Sequence, residues 1–204
     1  AESHALSAAI ERLLTGEGSI VTLVGEAGLG KSRLVAEARQ SIPVGRLQWV
    51  EGRCLSYGVS IVYLLWLDIL RGLLGTTVEE TPVSVRLALQ EALRELCPDG
   101  AAALLPYLAQ LMSLPVEPAE EAAIRDLDGE SLRANTFRAV ERLIECAARR
   151  RPLVIVCEDL HWADPASLEL LEHLLASTER VPLLFVCIFR PEREHGVWRL
   201  KETV

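Results

Sequence analysis

The stretch "GEAGLGKS", Gly25 to Ser32, decides how the rest of this 204-residue chain is read. It fits the spacing GxxxxGK[ST]. Glycines at 25, 28 and 30 let the backbone curl so that successive amide N–H groups converge on one anion, as in a phosphate-binding nest. Immediately before it, "SIVTLV", Ser19 to Val24, is rich in β-branched residues and predicts a buried strand. After it, "KSRLVAEARQS" sets Leu34, Val35 and Ala38 on one helical face, and Pro43 and Gly45 close the segment. A glycine loop between a strand and a helix is the context a phosphate loop needs, and a plain glycine turn with an exposed lysine does not require it. The candidate nucleotide-binding residues are therefore Gly25, Glu26, Ala27, Gly28, Leu29, Gly30, Lys31, Ser32 and Arg33. Lys31 can reach the β and γ phosphates, and the Ser32 hydroxyl can ligand Mg²⁺.

Such a loop does not separate a kinase from an ATPase, so the second informative stretch is "VIVCEDLHWADP", Val154 to Pro165. The run Leu153 to Cys157 predicts a strand that is apolar along its whole length. If it lies parallel to Ser19–Val24, it delivers Glu158 and Asp159 to the same carboxyl-end edge of the sheet as the loop. One acid can hold Mg²⁺, usually through water, and its neighbour can orient and polarise an attacking water. Two acids there point to hydrolysis rather than transfer to an acceptor. Asp164 followed by Pro165 reads as an N-cap and first-turn proline.

Further out, Leu6, Ile10, Leu13 and Leu14 share a helical face, and Arg46 to Arg53 reads as a second strand. Tyr63 to Gly75 reads as an apolar helix, and helical patterns follow at Val83–Leu96 and Ala101–Met112, where Pro106 predicts a kink or a late start. The acidic stretch from Glu117 to Glu130 reads as a solvated loop. Ser131 is the expected cap of a helix running through Leu132, Phe137, Val140, Ile144 and Ala147, with Arg149 to Arg151 at its negative dipole end. A last strand, Pro182 to Phe189, ends at Arg190. Apolar strands alternating with helices predict an α/β fold with a mostly parallel sheet covered on both faces.

The formal net charge of −8 and the pI near 5.1 oppose long-range attraction to nucleic acid or an anionic membrane, and neither is expected as a direct partner. Half the residues are hydrophobic, enough for one substantial core. The five cysteines, Cys54, Cys97, Cys146, Cys157 and Cys187, lack CxxC or zinc-site spacing. They read as reduced core residues, with a cytoplasmic setting implied. The chain opens on Ala1, and the expectation is a piece of a longer protein.

The set "GEAGLGKSRL", "EGRCLSYG", "LLPYLAQLMSLP", "LVIVCEDLHWADPASLELL" and "LLFVCIFRPE" resembles the STAND-type modules among AAA-like P-loop ATPases, found in large LuxR-type regulators and multidomain adenylate cyclases. The resemblance covers roughly residues 20–192. It implies a P-loop NTPase three-layer α/β/α sandwich with sheet order 5-1-4-3-2, spanning residues 1–204 with a helical insertion at 76–130. It implies ATP or ADP with Mg²⁺ as cofactors, and a slowly hydrolysing nucleotide switch in signalling or transcription control. A non-hydrolysing interaction scaffold and a nucleic-acid-associated ATPase are the alternatives. By the family pattern Glu158, with Ser32, holds Mg²⁺ and Asp159 aligns the water, while Arg190 matches a sensor arginine for the γ-phosphate. Many relatives of the wider superfamily carry Asp then Glu, whereas the order here is reversed and the second acid is one methylene shorter. The family's "GRE" box is absent or reduced to "AES". Trp162 reads as a core residue, with adenine stacking as the alternative, and His161 as a carboxylate's hydrogen-bond partner. The implied partners are the nucleotide and flanking domains of the same polypeptide, with self-association as a further option.

Overall fold

Strands such as LVIVC and LLFVCIF, apolar on both faces, can be satisfied only inside a sheet with helices above and below. The computed structural model describes residues 2–56 and 61–191, and the sheet it contains has four parallel strands: β1 (Ser19–Val24), β2 (Gln48–Arg53), β3 (Leu153–Glu158) and β4 (Leu183–Phe189). Their spatial order is β1-β4-β3-β2. The five-strand order 5-1-4-3-2 is thus not matched: no strand flanks β1 on its outer side among the described residues. What the chain does show is β4 seated between the two strands that carry the glycine loop and the acid pair. Pairing of Ser19 with Leu184 and of Val154 with Leu184 sets that register.

The chain divides into two compact units, residues 1–69 with 151–204, and residues 70–150. The first holds the sheet, α1 (Glu2–Leu14), α2 (Lys31–Gln40), the start of α3 (Leu64–Leu74) and α8 (Pro165–Leu175). Leu6, Ile10 and Leu13 of α1 and Val35 of α2 pack on Leu23, Val154, Val156, Leu184 and Val186, which form one face of the sheet. The alternate residues Ile155, Cys157, Phe185 and Cys187 face the other way and are equally buried. On that second face Gly52 of β2 lies so close to α3 that a Cβ there would meet the Leu65 carbonyl oxygen at 2.6 Å. Trp66 of α3 donates its indole N–H to the Ser167 carbonyl of α8 at 3.0 Å. Helices therefore cover both faces of the sheet.

The second unit contains α4 (Pro82–Leu96), α5 (Ala101–Leu111), α6 (Pro118–Arg125) and α7 (Gly129–Arg150). Here the sequence expectations need four corrections. Of the kink or late start expected at Pro106, the late start does not occur: α5 begins at Ala101 with Pro106 inside it. The acidic stretch is not all loop: Pro118 opens α6, and Glu117 and Glu120 form a reciprocal capping box at its start. Buried Arg86 of α4 also reaches Glu120 at 2.6 Å and Glu117 at 3.2 Å. Ser131 does not cap α7; its amide and hydroxyl both donate to the Asp128 carboxylate, at 2.7 and 3.1 Å. Finally, Cys97 and Cys146, 49 residues apart, are joined as a disulfide with Cα atoms 5.9 Å apart, so only Cys54, Cys157 and Cys187 are free thiols, all buried. No helix among the described residues is long and apolar enough to cross a membrane.

Candidate functional site

The glycine loop is built as its sequence demands. Gly28 and Gly30 both adopt left-handed backbone, at φ +82° and +80°, which residues with a Cβ enter only at a cost. Gly30 is also the N-cap of α2 and offers no side-chain acceptor, so the first amides of that helix are left for another acceptor. The Lys31 ammonium folds back over the loop, donating to the Gly25 carbonyl at 2.5 Å and the Glu26 carbonyl at 2.8 Å. Gly25 is itself tied across the sheet, its amide donating to the Phe189 carbonyl at 3.3 Å. Glu26, Ala27, Leu29, Ser32 and Arg33 are exposed, and Arg33 pairs with Glu37 at 2.8 Å.

The acids stand at the corresponding end of β3. Glu158 closes the strand, and Asp159 follows in left-handed conformation at φ 55°, ψ 37°, leading a single 3-10 turn, Leu160–Trp162. Left-handed backbone is tolerated by Asp better than by most side chains. Arg190 directly follows β4 and stands beside the start of the loop, because Val24 and Phe189 are register partners. The parallel sheet thus brings the loop, the acid pair and Arg190 to one edge.

One residue of this site escaped the sequence. Arg53 ends β2 opposite Glu158 in the register, and its Nε donates to Asp159 Oδ2 at 3.1 Å and lies 3.7 Å from Glu158 Oε2. The hydrogen bond to Asp159, then the charges of Asp159 and Glu158, hold the Arg53 guanidinium above its ordinary pKa. Its side chain is 59% exposed, so water screens the pair and the contact is an electrostatic restraint more than a source of stability. Arg53 and Asp159 are 106 residues apart, and the only available signal was that a charged residue ended a predicted strand.

Around the acids the supports are mostly structural. Asp164 caps α8, accepting from the Ser167 amide at 3.0 Å and hydroxyl at 2.5 Å. His161 is buried, and its ring lies 5.1 Å from that of half-buried Trp162. Beneath the acids, burial and then the charges of Asp164, Asp159 and Asp68 push the Cys54 thiol up to about 12. A hydrogen bond with Cys187 and burial raise Cys157 likewise. These thiols are not nucleophiles at neutral pH. His195, which the sequence sets beside no catalytic partner, lies outside the described residues.

These residues fit a phosphate chain: two left-handed glycines, uncapped amides at a helix N-terminus and a lysine already curled over them. No cluster of three or more His, Cys, Asp or Glu suited to holding a metal ion by itself occurs among the described residues. Ser32 and Glu158 fit an ion whose other ligands are phosphate oxygens and water.

Comparison with known proteins agrees with this geometry. The sequence model of a family described as "AAA ATPase domain" matches residues 1–186. An uncharacterized protein of Rhizobium meliloti (strain 1021) is 28% identical over 180 residues. That alignment covers 88% of this chain and 17% of the relative, so the chain spans about a sixth of that protein's length.

Proposed function

The chain belongs to the AAA ATPase domain family, and from that premise we propose that it binds ATP and ADP with Mg²⁺ and hydrolyses ATP slowly, as a nucleotide switch of the STAND type within a longer signalling or transcription-regulating protein. The observation that carries this reading is the shared edge: the loop from Gly25 to Ser32 and the acid pair Glu158–Asp159 stand at the carboxyl ends of parallel strands separated only by β4. Loop amides and Lys31 would hold the phosphates. Ser32 and Glu158 would hold Mg²⁺, which when bound neutralises phosphate charge. Asp159 would align the attacking water, and Arg190 would contact the γ-phosphate and transmit its presence to flanking domains. The helical segment 76–130 is read as an insertion into this core.

The ion pair of Arg53 with Asp159 favours a second reading, a nucleotide-stabilised scaffold with no meaningful turnover, because a carboxylate engaged by a guanidinium is a poorer base. One set of measurements separates the two. Calorimetric titration with ATP and ADP, with and without Mg²⁺, should show binding that Lys31→Ala abolishes, and ligand at about a hundred times Kd should add about 2.7 kcal/mol of stability. Absence of binding would sink both readings. Phosphate release above background that Glu158→Gln removes supports the switch. Release that stays at background in the parent chain and in Arg53→Ala alike supports the scaffold. If the carboxylates are restrained by Arg53, Arg53→Ala should accelerate release while leaving Mg²⁺-free nucleotide affinity unchanged.

A further inference from the structure

The first unit carries a cavity of about 340 Å³ whose lining includes no residue of the glycine loop. It opens at the start of β2 and the end of α2, and its walls include Arg39, Ile42, Pro43, Leu47, Trp49 and Arg151. The volume is at the lower end of small-molecule sites. The lining contains two arginines and no Asp or Glu, in a chain whose formal net charge is −8. Arg39 is paired with Glu51, so the positive charge left to the cavity is that of Arg151, and it favours an anion.

The two arginines differ. Arg39 Nη1 donates to Glu51 Oε1 at 3.1 Å, and the same oxygen accepts the Trp49 indole N–H at 2.6 Å. Glu51 is not part of the lining; from outside the cavity it fixes both the indole plane and the Arg39 guanidinium. Arg151 is exposed and makes no ion pair with a described residue. It is the cation with its hydrogen bonds still to give. A fixed aromatic plane, aliphatic walls from Ile42, Pro43 and Leu47, and an exposed guanidinium together specify a flat apolar body with one anionic group.

We propose that this cavity is a binding site for a small aromatic carboxylate, distinct from the nucleotide site. It is placed to act as an effector site, because the elements it touches end at the other. α2 has Lys31 and Ser32 at its first turn and Arg39 at its last, and β2 runs from Gln48 at the cavity to Arg53 on Asp159. Arg151 is two residues before β3, whose far end is Glu158. Coupling between the sites rests on the nucleotide reading above, whereas occupancy of the cavity does not.

The test is an NMR titration of the tryptophan indole ¹⁵N–H signals with 2-naphthoate and with uncharged 2-naphthamide, Trp49→Phe assigning the signal. The Trp49 signal should shift saturably with naphthoate, and loss of the charge, either in naphthamide or by Arg151→Ala, should weaken binding about tenfold or more. No shift up to millimolar naphthoate, equal affinity for the amide, or an unchanged affinity in Arg151→Ala overturns the site. ADP affinity measured with and without saturating naphthoate should differ about fivefold or more. Naphthoate binding without any ADP binding leaves this site standing and removes the nucleotide reading. Binding of both without mutual effect overturns the coupling.

Discussion

Asp159 shows how backbone conformation chooses a side chain. A Glu at that position would have the longer reach seen in many relatives of the wider superfamily, but the residue sits at φ 55°, ψ 37°, where Asp and Asn are several-fold enriched over longer side chains. The shorter acid is therefore the one the turn accepts. Asp159→Glu should cost about 1 kcal/mol of stability, read as a lower denaturant midpoint. Asp159→Asn should keep the stability of the parent and lose phosphate release. If Asp159→Glu is as stable as the parent, the turn does not select the residue. The sequence displayed both acids but not this dihedral, and it marked Arg53 only as a charge at a strand end, because the partner of a strand-end charge depends on which strands become neighbours.

At the scale of elements, the sequence was most legible where period and punctuation agree. The loop, its strand and its helix were all readable from Ser19 to Ser41, since glycine spacing and an all-apolar strand have few other uses. Legibility failed where two side chains competed for one role. Ser131 has the chemistry of a helix cap, yet Asp128 three residues earlier accepts from both its amide and its hydroxyl. Those bonds hold the Asp128 carboxyl below its ordinary pKa. A carboxyl depressed in the folded chain contributes stability above its unfolded pKa and loses it as pH falls through the folded value. Asp128→Ala should therefore lower the thermal midpoint at neutral pH, and the difference from the parent should shrink as the pH falls below the ordinary carboxylate range and vanish once Asp128 is protonated in the folded chain. A difference that persists in acid would show that the cap acts through its shape rather than its charge. Pro106 and the capping box of α6 were similarly ambiguous, since a proline within or before a helix reads the same in one dimension.

For the whole molecule, what the sequence could not show is how distant segments are tied. Cys97 and Cys146 read as two unremarkable core thiols until α4 and α7 bring them together. In the chain-entropy account a closed loop of this length stabilises by up to about 4 kcal/mol. Reduction with dithiothreitol, or Cys97→Ser with Cys146→Ser, should lower the unfolding midpoint correspondingly, while Cys54, Cys157 and Cys187 should resist alkylation in the native chain. An unchanged midpoint would mean the unfolded chain gains no freedom when the bond opens. The same bond also bears on how the sheet assembles. β2 and β3 are sheet neighbours, yet roughly a hundred residues separate Arg53 from Leu153, and the bridged pair spans 49 of them. Oxidation therefore shortens the path the chain must close to pair these strands by about half, which lowers the closure cost by about 0.6 kcal/mol. The bond that staples one unit thus acts as a short cut for the other, and refolding from the oxidised chain should start with its two strand segments already nearer neighbours along the contour.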